Sequence, residues 1–153
     1  SACTATIRVG GHTESEIKER FDRYEDTVGA VNAAMLGGCI PGGGAALFHT
    51  CKIVKSRYYN FTSKDFNKGI DNVLSSICSP INQILTNADQ YADIVSDDFN
   101  IGIDVKTGKE MDMFEAGVID PLDVTVSALT NAVSIASMVM TTGCVIESPI
   151  INA

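Results

Sequence analysis

Tryptophan is absent from this sequence, histidine occurs twice and proline four times among 153 residues. His12 and His49 have no partner at metal-ligand spacing, which argues against a zinc site or a histidine-based catalytic pair. There is no Gly-x-Ser-x-Gly elbow and no Lys-Ser/Thr after a glycine loop, so neither a hydrolase nucleophile nor a P-loop is present. Basic residues are scarce. Eleven Lys and Arg stand against nineteen Asp and Glu, leaving a formal charge of −8 with no Lys/Arg cluster. Such a surface repels nucleic acid and excludes it as a partner. Five cysteines occur, at Cys3, Cys39, Cys51, Cys78 and Cys144, with no Cys-x-x-Cys pair. The odd count reads as reduced thiols of an intracellular protein, used as small apolar packers.

A secretory signal is also missing: "SACTATIRVGG" has neither a charged start nor an apolar run. The Asn60-Phe61-Thr62 triplet therefore reads as chance. The chain starts without Met on strand-like sequence, which suggests a piece of a longer protein. Charge is missing from one long stretch, Val124 to Ile146, long enough to cross a membrane. Ser, Thr and Asn interrupt it, and Asp123 and Glu147 flank it where Lys or Arg would be usual. A buried helix followed by a short strand is the better reading, with no membrane partner.

What is present supports a packed domain. Hydrophobic residues make up 45% and charged residues 20%, enough for a core. Ala5, Ile7 and Val9 alternate in Thr4–Val9 and predict a strand closed by Gly10-Gly11. Thr13 and Glu16 form a capping box. Ile17, Phe21, Tyr24, Val28, Val31 and Met35 then place one apolar stripe on a long helix that should stop at Gly37-Gly38. Charges crowd its first half up to Asp26. Small residues (Gly29, Ala30, Ala33, Ala34) follow, predicting packing on more than one side. Asp26 lies opposite the stripe, where a solvated carboxylate is the ordinary reading.

"PGGGAAL" follows, from Pro41 to Leu47, before a helix expected over residues 43–55. Thr62-Ser63-Lys64-Asp65 predicts a second capping box, and Ser79-Pro80 predicts a capped helix start. Ile101, Ile103 and Val105 alternate before a Lys106–Lys109 turn, predicting a hairpin or a strand ending in a loop. Asp120-Pro121 predicts an N-cap for an apolar helix over 121–140. Cys144–Ile146 reads as a terminal edge strand. The sum is a mainly α domain with short peripheral strands. The triple glycine stays open between a plain turn and a loop that lets an anion or a ribose approach bare backbone.

Three stretches carry a family resemblance: "TATIRVGGHTESEIKERFDRYEDTV", "YEDTVGAVNAAMLGGCIPGGGAAL" and "NIGIDVKTGKEMDMFEAGVIDPLDVTVSALTNAVSIASMVMTTGC". In this order the chain resembles the C-terminal part of a group I chaperonin, the GroEL or heat-shock chaperonin family. The most specific parts are the Glu-Asp ahead of the triple glycine and "GVIDPLDVTVSAL". The resemblance implies that residues 1–36 are an intermediate-domain segment. It implies that residues 37–153 are the C-terminal half of a multihelical equatorial, ATP-binding domain. It implies that Asp26 orients the attacking water and that Gly42, Gly43 and Gly44 contact nucleotide, Gly43 foremost. It further implies that Asp104 and Val105 line the adenine pocket and that Asp120 holds the ribose hydroxyls.

The parent would be an ATP-hydrolysing ring oligomer that assists protein folding. Its other partners would be unfolded polypeptides and a co-chaperonin, engaged through an apical domain not present here. Mg²⁺ and K⁺ are implied for that parent, with ligands outside this chain. The Gly-Asp-Gly-Thr-Thr-Thr phosphate loop is also absent, so the piece alone is expected to be inactive. Its Asn and Ile usage and five cysteines point to a mitochondrial or other organelle matrix, with a bacterial cytoplasm as the alternative. Cys39, Gly143 and "KTGKEMD" depart from the family pattern. A reading of a different class is a self-associating assembly module that pairs through the terminal strand. A group II chaperonin is a weaker alternative, which the "GVIDPLDVTVSAL" block disfavours.

Overall fold

The computed structural model describes residues 4–57 and 63–146. Cys3, the Asn60-Phe61-Thr62 triplet and the Thr62 part of the second capping box lie outside them. Five helices and four short strands occur among the described residues, and the fold is mainly α, as the periodicity implied.

Helix α1 (Glu14–Gly37) begins at the capping box. The Thr13 side chain accepts from the Glu16 N–H at 3.2 Å, and the Glu16 carboxylate accepts from the His12 N–H at 2.8 Å. It ends where Gly38 takes φ 82° and donates its N–H to Ala34 O. Glycine reaches that left-handed conformation without the cost a side chain would incur.

Strand β1 (Cys39–Pro41) follows at once and leads through Gly42–Gly44 into α2 (Ala45–Arg57). Helix α3 (Lys64–Ser76) is capped by Ser63, whose side chain accepts from Phe66 N–H. Helix α4 (Ser79–Asn87) has Cys78 at its N-cap, with Pro80 in the first turn. Ser79 is therefore the first helical residue, not the cap, because the chain leaves α3 still in a helical conformation at Ile77.

Strands β2 (Ile101–Asp104) and β3 (Lys109–Asp112) form the expected hairpin, with Ile101 opposite Asp112 and Asp104 opposite Lys109. Strand β4 (Ile119–Pro121) returns to pair antiparallel with β1, and α5 (Leu122–Thr141) follows. The β1–β4 pair is a non-local contact that neither three-residue segment announces by alternation.

Two apolar clusters hold the base together. Ala45, Ile81, Leu85, Ile94, Ile103 and Met113 form one, with Phe48, Cys78, Ala92 and Val105 packed against it. Cys51, Leu74 and Ile77 form the other, with Leu47, Val54, Ile70, Cys78 and Leu129 around it. The first joins α2 to α4 and β2, the second joins α2 to α3, and α2 touches both β1 and β2.

Several expectations need correction. Thr4–Val9 and Cys144–Ile146 are not strands: among the described residues no strand pairs with them to supply the hydrogen bonds an extended segment needs. Asp120 is not an N-cap. It pairs with Ile40 inside β4, and Pro121 occupies the cap position without a side-chain bond. Helix α2 starts at Ala45 instead of residue 43, because Gly43 and Gly44 have positive φ.

The largest departure concerns burial. Helix α5 has no buried residue, and the apolar stripe of α1 faces outward, up to 80% exposed at Met35. The main contacts of α1 are to α5 and β4. Small residues bring it close there, half-buried at Ala30, Ala33, Ala34 and Gly37, so its second half packs on one side only. A helical stripe reports that something apolar should cover it. Nothing among the described residues covers this one.

Candidate functional site

The glycine turn is built by its neighbours. Gly42 donates its N–H to Val118 O at 2.9 Å, and Ala45 donates to Gly42 O at 3.1 Å. A Cβ on Gly42 would lie 3.0 Å from the Val118 carbonyl. A Cβ on Gly44 would lie 2.9 Å from Ile81 N, at a φ of 80°. These two glycines are bare because other main chain presses on them. Gly43 differs. Its φ of 65° favours glycine, yet the nearest atoms to an added Cβ are Met113 Cε and Val118 Cγ1, both at 3.9 Å.

Past the turn, Phe48 N–H closes the first helical bond to Gly44 O at 3.1 Å. The N–H groups of Ala46 and Leu47 fall in the first turn, where an α-helix supplies no internal acceptor. That end is the positive pole of the helix dipole, suited to an anion.

Asp120 stands near the same turn. Its pairing with Ile40 puts it two residues from Val118, the residue that holds Gly42. Partial burial raises its carboxyl above the usual range, even though much of the residue remains accessible.

Val105 belongs to the rim of the same core, and Asp104 precedes it at the end of β2. Val105 packs against the Ala45–Met113 cluster, and Gly102, on the same strand, would push any Cβ to 3.0 Å from that of Ala45. Asp104 has local work. Its Oδ1 accepts from Lys106 N–H at 3.0 Å and its Oδ2 from the Thr107 hydroxyl at 2.8 Å. These bonds to the charged form lower its pKa, the Lys106 N–H most. Both oxygens thus fasten the hairpin loop, a role its place before Lys-Thr-Gly could have signalled.

Asp26 is set apart. It is exposed on α1, along a strip with Ser15, Lys18, Glu19, Asp22 and Arg23. An Arg23–Glu19 ion pair spans one turn of that strip. Asp26 lies three turns, about 16 Å, before Gly37. The fold thus brings Gly42–Gly44, Asp104, Val105 and Asp120 around one core and leaves Asp26 on the arm.

Two residues not singled out as site candidates shape the surroundings. His49 is 3% exposed, and its Nε2 donates to Ile101 O at 2.8 Å, binding α2 to β2. Glu110 accepts from the N–H groups of Val95 and Ser96 with one carboxylate oxygen and pins the loop ahead of β2. Neither has a signal in the sequence, since each depends on a distant backbone group. Among the described residues no three His, Cys, Asp or Glu side chains converge to hold a metal ion.

Residues 1–149 match the model of the TCP-1/cpn60 chaperonin family. The chain belongs to this family. Its chaperonin relatives include the chaperonin GroEL of Holospora obtusa, 40% identical over 95% of this chain and 28% of that protein. Another is the mitochondrial heat shock protein 60 of Candida albicans (strain SC5314 / ATCC MYA-2876), 38% identical over 97% of this chain and 28% of that one. These place the chain with group I chaperonins. Among solved structures it is similar to the chaperonin gp146 from the bacteriophage EL 2 (Pseudomonas aeruginosa), determined in presence of ATP-BeFx. The TM-score is 0.66 at 29% identity, over 92% of this chain and 29% of that chain. The chain therefore spans between a quarter and a third of the length of the chaperonins it matches.

Proposed function

We propose that this chain supplies one half of the nucleotide pocket of an ATP-driven, ring-forming chaperonin, together with its water-orienting carboxylate. Family membership over residues 1–149 is the observation that carries this reading. Residues 1–36 act as the intermediate-domain arm and residues 37–153 as the equatorial half. The helix stop at Gly38 supports that division.

In the pocket, Gly42–Gly44 and the first turn of α2 receive phosphate and ribose, with Gly43 the closest contact. Asp120 accepts from the ribose hydroxyls. Val105 offers apolar surface to the adenine, and Asp104 holds the loop that carries it. Asp26 swings over the nucleotide when the arm closes and accepts a hydrogen bond from the attacking water. The phosphate loop and metal ligands come from the remainder of the parent. The parent's partners are sister subunits, unfolded polypeptides and a co-chaperonin.

In the full-length protein, Asp26→Ala should leave ATP binding intact and cut hydrolysis by about a hundredfold or more, as loss of a positioning group does. An unchanged turnover rate would remove Asp26 from the mechanism. The 153-residue chain alone should show no ATP turnover.

The uncovered apolar faces of α1 and α5 favour a second reading, a self-associating assembly module. Sizing chromatography with and without ATP separates the two. Concentration-dependent oligomers indifferent to ATP favour assembly, and a nucleotide-dependent rise in melting temperature favours the pocket.

A further inference from the structure

The fold brings two thiols, one buried and one partly exposed, to a single apolar cluster. Cys51 lies on the inward face of α2, 3% exposed, and its Sγ donates to Leu74 O at 3.2 Å. Cys78 joins α3 to α4, is partly exposed, and packs against both apolar clusters, one of which contains Cys51. Leu74, whose carbonyl the Cys51 thiol holds, stands about one helical turn before Cys78, so both thiols sit at the same corner of the apolar cluster. Cys39 and Cys144, by contrast, are exposed.

We propose that Cys51 and Cys78 form a reversible disulfide that staples α2 to the α3–α4 corner when a low-molecular-weight disulfide supplies the oxidising equivalents. Cys78 reacts first, because it is the accessible partner. Its thiolate attacks one sulfur of the reagent, the reagent's S–S bond breaks, and one thiolate leaves. Cys51 then loses its proton to solvent, attacks the Cys78 sulfur and expels the second thiolate. Two protein thiols become one disulfide, and the reagent disulfide is reduced to two thiols.

The position of the staple gives it a consequence. Ile81, one turn beyond Cys78, is the residue pressed against Gly44. Locking the corner to α2 therefore fixes the wall behind the glycine turn. Burial, then the Cys51 thiol, raise the Cys78 thiol above its ordinary range, and the Lys55 ammonium offsets only part of this. Little thiolate is present at neutral pH, so oxidation should be slow there and quicken as pH rises.

The test is peptide mapping of the purified protein carrying this chain, reduced, then incubated with glutathione disulfide and digested without reductant. The expected product is a Cys51–Cys78 cross-linked peptide that forms faster at alkaline pH and disappears with dithiothreitol. Cys51→Ser keeps a donor to Leu74 O and should leave Cys78 as a stable mixed disulfide. Cys78 carrying only glutathione in the unsubstituted protein would overturn the proposal. So would pairing of Cys51 with another cysteine, or a cross-link that forms only in urea.

Discussion

Replacing Gly44 by alanine tests whether the triple glycine is held by packing or kept for a ligand. At φ 80° a side chain costs about 1–2 kcal/mol. The new Cβ also meets Ile81 N and Cβ at 2.9 Å and Ile81 Cα at 3.0 Å, so backbone must shift. Overpacking of this kind costs about 1–3 kcal/mol. A less flexible unfolded chain returns about 0.4–1 kcal/mol. The net loss is about 2–4 kcal/mol, roughly one and a half to three orders of magnitude in the unfolding constant.

Gly43→Ala shares the backbone penalty but has its nearest neighbours at 3.9 Å, so it should lose only about 1 kcal/mol. Urea titrations followed by far-UV circular dichroism measure both, with an unchanged slope expected. Equal losses at the two positions, or a Gly44→Ala protein as stable as the parent, would refute the packing argument. Nucleotide titration of the full-length variants then asks the functional question separately: Gly43→Ala should weaken binding more than its small stability loss explains.

Met113 is 2% exposed in the cluster that backs the glycine turn, and Met113→Ala should destabilise by about 2–5 kcal/mol in the same titration. Acid should unfasten the loops around β2 and β3. Asp104 is lowered chiefly by the Lys106 N–H, and Glu110 by the Ser96 and Val95 N–H groups. Their contribution is complete above the unfolded carboxyl values of about 4 and is lost as pH falls through the lower folded values. Asp120 has the opposite sign: its stability term is full below about pH 4 and is lost as pH rises through its raised folded value. Thermal melts across the acid range should therefore show Asp104→Asn and Glu110→Gln flattening the acid loss, and Asp120→Asn raising stability near neutral pH.

Local chemistry by itself determined the helices, the Thr13 cap, the Gly38 stop and the β2–β3 hairpin. Each depends on residues a few positions apart, whose spacing is visible in one dimension. The family was legible too, from three blocks spread over the chain. Pairing across distance was not. β1 and β4 are three residues each, joined across almost the whole base, and only their meeting gives Asp120 a strand position beside the Gly42 turn. The same holds for Gly42 and Gly44, whose bareness answers to Val118 and Ile81. Hydrophobic periodicity determined that α1 and α5 each need a cover. The tertiary structure decided that the described residues do not provide it, because a stripe fixes which face is apolar and not what lies against it.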